Sequence, residues 1–376
     1  MKLQSIVPTI HEYAQFADFA QAFALTERDL IFTSERTWKQ FIQPLNLPCR
    51  CLLRERGGSE PTDDEVMMLL LAREALHASI TCGISRIIAI GGGSVLDIAK
   101  VLAVAPHGTH DVNDLYADMA NLSRQHELIA LPTTCGTGSE VTNISVIFRT
   151  VLGTKHGLVG DALYPVHAVL VPQLMEGLPW SVFASSAIDA LIHATESFLS
   201  PLATEKTLAQ SREAICGILQ GFTQVAEDRT ALPGLFGHFL HCSTVAGLAF
   251  GAAGCGPVHA LSFAIGGKYH VPHGESCYQY FLPVLRYYKA NRAEGERLQE
   301  LEEMLRTVLQ SADGLAALEA LLDRILLRKP MSAYGAVEAD VAAFARSTID
   351  NQQRLLARAY VPVDYEAALA IEAECL

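Results

Sequence analysis

Three histidines, His259, His270 and His273, stand close together in a stretch of small and apolar residues from Gly254 to Glu275. Upstream, Asp189 and His193 are four residues apart in a run that reads as a helix, so both side chains project from one face. One carboxylate with two or three imidazoles suits a borderline divalent ion such as Fe2+ or Zn2+. The competing reading is structural, because a histidine in an apolar helix commonly packs and hydrogen-bonds without binding anything. What separates the two readings lies earlier in the chain.

Ser85 to Ile90 is a continuous apolar run, the pattern of a strand buried on both faces of a parallel sheet. It enters Gly91-Gly92-Gly93-Ser94-Val95-Leu96-Asp97, and a helical pattern follows through Ala99, Lys100 and Leu102. Strand, glycine turn and helix start together suit a phosphate: glycines let the backbone approach the anion, and the helix N-terminus offers free N–H groups. The layout returns at Glu127 to Leu131, which enters Pro132 to Glu140, a loop rich in hydroxyls and glycines. Either loop alone is compatible with an ordinary tight turn. At the ends of successive parallel strands, both are expected over one crevice. Neither is the GxGxxG fingerprint, so an ordinary Rossmann dehydrogenase is not predicted.

The elements that must position these residues divide in two. At 376 residues the chain exceeds one average core, and 50% hydrophobic against 18% charged residues supplies enough apolar surface for two. Asp29 to Thr33 and Arg50 to Arg54 read as short strands, with a helical turn at Trp38 to Ile42 between them. Thr62 to Glu65 is a capping box, followed by helical spacing at Val66, Leu69, Leu70 and Leu76. After Val169-Leu170-Val171-Pro172 strand signals thin out. Helical patterns then cover Ser185 to Leu199, Thr204 to Gln220, Leu235 to Phe250, Gln299 to Gln310, Leu315 to Leu327 and Val337 to Ser347. The expected organisation is an α/β nucleotide-binding domain over 1–172 and a helical metal-binding domain over 173–376, with the site in the cleft between them.

Composition excludes several classes. A net charge of -13 argues against nucleic acid or an anionic membrane as partner. The apolar stretch from Gly247 to Gly267 is broken by glycines, Pro257 and His259, which suits one or two buried core helices rather than a membrane span. The N-terminal segment lacks the apolar run of a signal peptide. Nine scattered cysteines without a CxxC suggest reduced thiols in a cytoplasmic protein.

With these residues assembled, the chain resembles the iron-containing (group III) alcohol dehydrogenases. The motifs are GGGSVLDIAK (Gly91 to Lys100), LPTTCGTGSEVT (Leu131 to Thr142), DALIHATESFLS (Asp189 to Ser200), VHA (Val258 to Ala260) and PHGE (Pro272 to Glu275). The segment Gly266 to Phe281 is most similar to the 4-hydroxybutyrate dehydrogenase branch. The resemblance implies the dehydroquinate synthase-like two-domain fold, a homodimer, and one divalent metal, Fe2+ ahead of Zn2+. Asp189, His193, His259 and His273 would be its ligands. It also implies NAD or NADP contacts at Gly92, Gly93, Ser94, Asp97, Thr133, Thr134, Thr137 and Lys155. Three positions depart from the pattern. Phe263 stands where many members carry a proton-transferring histidine, Val171-Pro172 replaces an Asp-Pro, and Ser34 replaces an Asp that selects NAD, with Arg36 and Lys39 nearby.

The expected activity is hydride transfer between nicotinamide and a small primary alcohol or ω-hydroxy acid, with the metal polarising the substrate oxygen. Since Phe263 cannot carry a proton, His270 is the side-chain candidate for that step, beside a relay through cofactor ribose and water. Alternatives are a glycerol dehydrogenase-like polyol enzyme, a dehydroquinate synthase-type lyase, and a nucleotide-binding protein without chemistry. The lyase needs clustered Lys and Arg, which Asp189 to Ser200 lacks.

Overall fold

The computed structural model describes residues 7–55, 60–109, 111–292 and 294–376, so the first six residues of the segment read for a signal peptide lie outside it. Contacts divide the chain into two compact units. One comprises residues up to Thr134 together with Gly138–Gly177, and the other Cys135–Thr137 with Leu178–Leu376.

The first unit is a doubly wound α/β structure. Its opening half contains β1 (Thr9–Glu12), α1 (Phe16–Ala22), β2 (Asp29–Ser34), the short α2 (Glu35–Thr37) and β3 (Arg50–Arg54). Next come α3 (Asp63–Ala78), β4 (Arg86–Gly91), α4 (Gly93–Val104), α5 (Val112–Ala117) and β5 (Glu127–Pro132). The hairpin β6 (Ile144–Arg149) and β7 (Thr154–Val159) and the strand β8 (His167–Leu170) close it. Six strands form a parallel sheet in the order β1-β8-β5-β4-β2-β3, while β6 and β7 pair antiparallel.

Strand alternation explains why both sheet faces are covered. Leu30, Phe32, Ile87, Ala89, Leu128 and Ala130 face a core shared with Val66 and Leu70 of α3 and Ile98, Val101 and Leu102 of α4. The intervening Ile31, Ile88, Ile90, Ile129 and Leu131 face Phe16 and Phe19 of α1 on the other side. The expected turn at Trp38–Ile42 is present as a π-helical turn.

The second unit is helical. It contains α6 (Trp180–Leu199), α7 (Glu205–Glu227), α8 (Leu232–Ala253), α9 (Pro257–Tyr269) and α10 (His273–Arg292). These are followed by α11 (Glu296–Leu309), α12 (Gly314–Ile325), α13 (Glu338–Asn351), α14 (Gln353–Leu356) and α15 (Tyr365–Cys375). Helix α6 is buried on all sides from Ala187 to Leu199, as expected of a core helix. The segment Arg229–Ala253 is long and apolar enough to cross a membrane by composition, and most of it is buried within the unit. Pro257 starts α9 at a position where a proline loses no hydrogen bond.

Candidate metal centre and nucleotide loops

Helix α6 presents Asp189, His193 and Glu196 at i, i+4 and i+7, on one buried face. His259 from the first turn of α9 and His273 at the start of α10 complete the surroundings. Asp189 Oδ1 lies 3.7 Å from His259 Nε2 and 3.9 Å from His273 Nε2. Both Asp189 Oδ1 and His259 Nε2 are buried and without a hydrogen-bond partner. Two unsatisfied polar atoms side by side are costly unless something bridges them. Their 3.7 Å separation is too long for a hydrogen bond. It is also less than twice the metal–ligand distance of about 2.1 Å, so one cation can reach both atoms. The donor set fits a divalent metal.

The tautomer of His259 is fixed to match. His259 donates from Nδ1 to Glu196 Oε2 at 2.6 Å, which leaves the Nε2 lone pair towards Asp189. Glu196 also accepts from the amides of Gly256 (2.9 Å) and Val258 (2.7 Å), so one carboxylate both satisfies the free N–H groups opening α9 and orients its histidine. His193 donates from Nδ1 to the Gly136 carbonyl at 3.2 Å, and its ring stacks between Phe250 (4.2 Å) and His259 (4.7 Å). Burial opposes the charge on Asp189, yet His193, His273 and His259 outweigh it and hold the carboxyl below its ordinary range.

The groupings of donor atoms differ from the expected four ligands. Asp189, His259, His273 and Cys277 place donor atoms within 4.8 Å of one another, whereas His193 groups with Cys255 and His259. Burial pushes the Cys277 thiol up, but His259 and His273 bring it down to about 6. Sequence reasoning overlooked both cysteines and Glu196, although spacing marked them. Cys277 is four residues after His273, Cys255 four before His259, and Glu196 three after His193. His270, by contrast, is not brought into the cluster. It ends α9 in the left-handed conformation (φ 54°) and is exposed. Phe263 lies with its ring centroid 6.5 Å from that of His273.

In the α/β unit the C-terminal ends of β2, β4 and β5 are neighbours: Thr33 pairs with Ile90, and Gly91 with Pro132. Strand order reverses between β2 and β4, the position where such sheets bind ligands. The structure thus gathers Ser34, Gly92, Gly93, Ser94, Thr133 and Thr134 at one sheet edge. Gly92 caps α4 without a side chain, and a Cβ there would meet Thr134 Cγ2 at 3.3 Å.

Three expected contacts have other partners. Asp97 accepts from Ser139 Oγ (2.6 Å) and the Val146 amide (3.0 Å). The buried Lys100 donates to Ser139 Oγ (2.7 Å) and the Ile144 carbonyl (2.7 Å). Together they tie the second loop and the β6–β7 hairpin to α4. Lys155 pairs with Glu60. Ser34 Oγ accepts from the Thr37 amide at 3.3 Å and so caps α2. Arg36 donates to the Gly177 carbonyl, and Lys39 pairs with Glu35 at 2.6 Å.

Two family models match the chain: "iron-containing alcohol dehydrogenase" over residues 7–172, and "Fe-containing alcohol dehydrogenase family, C-terminal" over 183–374. The 4-hydroxybutyrate dehydrogenase of Clostridium kluyveri is 39% identical over 370 residues, 97% of each chain. A 1-propanol dehydrogenase of Salmonella typhimurium is 30% identical over 270 residues, 72% of this chain and 68% of that one. Among solved structures, a 1,3-propanediol oxidoreductase superposes with a TM-score of 0.85 at 21% identity over 100% of both chains. A sulfoacetaldehyde reductase from Bifidobacterium kashiwanohense, in complex with NAD+, gives a TM-score of 0.83 at 22% identity, covering 98% of this chain and 96% of that one.

Proposed function

The chain belongs to the iron-containing alcohol dehydrogenase family, and from that premise we propose that it moves a hydride between nicotinamide dinucleotide and a short ω-hydroxy acid of the 4-hydroxybutyrate type. It is an oxidoreductase acting on CH–OH groups. The substrate reading rests on the likeness, over nearly the whole of both chains, to a 4-hydroxybutyrate dehydrogenase. The metal reading rests on one observation: Asp189 Oδ1 and His259 Nε2 face each other, buried and unpartnered, 3.7 Å apart.

Asp189, His193, His259 and His273 would hold the ion, Fe2+ ahead of Zn2+. A divalent ion there supplies Lewis acidity to the substrate oxygen, easing loss of the hydroxyl proton in one direction and hydride addition in the other. The protein's own part is orientation. Glu196 keeps His259 in the tautomer with a free Nε2, its Nδ1 proton fixed on the side away from Asp189, while the Gly136 carbonyl holds the Nδ1 proton of His193 and leaves that ring's Nε2 lone pair free. Phe263 has no proton to give and His270 stands exposed at a helix end, which favours water as the route for the proton.

Gly92, Gly93, Ser94, Thr133, Thr134 and Thr137 are the proposed dinucleotide contacts, with the amides opening α4 receiving phosphate. Asp97 and Lys155 contribute by holding loop and hairpin. NAD is the proposed cofactor over NADP. Ser34 opens a helix whose first residue, Glu35, is ionised beside the strand end, and Lys39 is paired to it. Nine free cysteines support a reducing, cytoplasmic setting. A homodimer follows from the family resemblance, and light scattering should give twice the 40.7 kDa chain mass.

The test is a paired assay on protein of known metal content, following oxidation of NADH and NADPH with succinate semialdehyde and with butanal. Faster turnover of the semialdehyde with NADH, abolished by chelation and by His259→Ala, is expected. Preference for butanal would discard the hydroxy-acid reading, and no turnover of either by metal-loaded protein would discard the dehydrogenase reading.

A further inference from the structure

A second histidine cluster lies in the α/β unit, among residues that the dehydrogenase chemistry does not use. His77 closes α3, His107 follows α4, and His126 precedes β5. Their ring centroids are 4.2 Å (His77–His107), 5.5 Å (His107–His126) and 5.7 Å (His77–His126) apart. Each offers a ring nitrogen within 4.8 Å of the other two.

Hydrogen bonds outside the cluster decide which nitrogens face inward. His107 donates from Nδ1 to Glu74, 2.9 Å from Oε2 and 3.1 Å from Oε1. His126 donates from Nδ1 to the Ile84 carbonyl at 3.2 Å. Both rings therefore carry their proton on Nδ1 and a lone pair on Nε2. A carboxylate or backbone carbonyl behind Nδ1 is the usual support of a metal-binding histidine. His126 is 2% exposed, and its Nε2 is buried with no hydrogen-bond partner. That is an unsatisfied acceptor aimed into the cluster. His77 is held by the Ile84 amide, which donates to its Nδ1 at 3.1 Å. It can ligate once its ring turns and the proton moves to Nδ1. The adjacent Gly83, with φ +68°, leaves room for that ring, since a Cβ there would collide with it.

We propose that His77, His107 and His126 form a second divalent-metal site, suited by its imidazole donors to Zn2+, Ni2+ or Cu2+ and independent of the centre at Asp189. Occupied, it would tie the end of α3 to the segments that follow α4 and lead into β5. Burial holds the His126 imidazole at about 4 and lowers that of His77, so both are neutral and able to ligate at neutral pH. The charge of the neighbouring Arg73 is met by Glu74.

Zn2+ uptake is measured by competition with a colorimetric chelator, counting equivalents per chain. His107→Ala is expected to take up one equivalent fewer than the parent, with the same difference when both also carry His259→Ala. His107 is exposed, so this variant spares the core. Glu74→Gln is expected to weaken the same equivalent by roughly 10–100-fold. Alcohol dehydrogenase activity should be unchanged in both variants. Equal stoichiometry in parent and His107→Ala, in either background, would overturn the proposal and leave His126 Nε2 to a water molecule.

Discussion

Glu196 is the residue on which the metal centre most depends without itself being a proposed ligand. It accepts three N–H groups, two from the backbone opening α9 and one from His259. Glu196→Gln keeps the size but substitutes a donor for one acceptor, so the His259 tautomer is no longer enforced. Metal affinity is expected to fall roughly 10–100-fold, read as metal lost on dialysis against a weak chelator. Retention equal to the parent would show that His259 needs no such support. His270→Ala is the complementary case. Because His270 ends α9 in the open, the variant should keep the parent's pH–rate profile. A lost or displaced limb would restore His270 to proton transfer. Legibility at this scale followed chemistry. Asp189 and His193 stood out as a carboxylate and an imidazole at helical spacing, while the choice of His259 and His273 from the three downstream histidines came from the family resemblance. Glu196 was passed over because its work is to orient a ligand rather than to be one, and the capping role of Ser34 was not read because a helix as short as α2 leaves little periodic trace.

At the scale of elements, helices α6 and α10 approach through glycine. A Cβ on Gly274 would strike the backbone carbonyl of Ser185 in α6, which cannot yield as a side chain would. Gly274→Ala is therefore expected to push the start of α10 off α6, cost about 1–3 kcal/mol, and shift His273 enough to loosen the metal. Gly267 in α9 is the control. Nothing lies within 4 Å of a Cβ there, so Gly267→Ala should be neutral or stabilising by about 0.5–1 kcal/mol. Equal melting temperatures for the two variants would refute the close-approach argument. The buried strands β2 to β5 and the amphipathic helices were legible from apolar runs and 3.6-residue spacing. The hairpin β6–β7 and the short β1 were not. The hairpin is tied to α4 by the Asp97 and Lys100 contacts, which join segments far apart in sequence, and β1 pairs with the equally distant β8.

For the whole molecule, stability should depend on pH through Glu372 of α15. Burial raises its carboxyl to about 8 even though the Tyr280 hydroxyl donates to it at 2.9 Å, and its other oxygen has no partner. An unfolded glutamic acid titrates near 4.5. The folded chain thus holds this proton more tightly, and the contribution is complete below 4.5, declines as pH rises, and is gone above about 8. Glu372→Gln cannot ionise, so its melting temperature should exceed the parent's at about pH 9 and approach it at about pH 5. The expected shift is roughly 2–4 °C per kcal/mol for a unit of about 200 residues. A constant gap across that range would place the titration elsewhere. The two-unit organisation itself was readable, because strand signals stop where helical ones begin. Which buried carboxylates would lack partners was not, since that depends on packing between segments far apart in sequence. The Glu196 contacts carry one more consequence, visible in isotope labelling. The first amides of a helix ordinarily exchange with solvent deuterium early, because nothing within the helix receives them. In α9 the amides of Gly256 and Val258 are held by a buried carboxylate. They should be among the slowest at any helix start in this chain, turning an ordinarily silent position into a clock for how often the core around the metal centre opens.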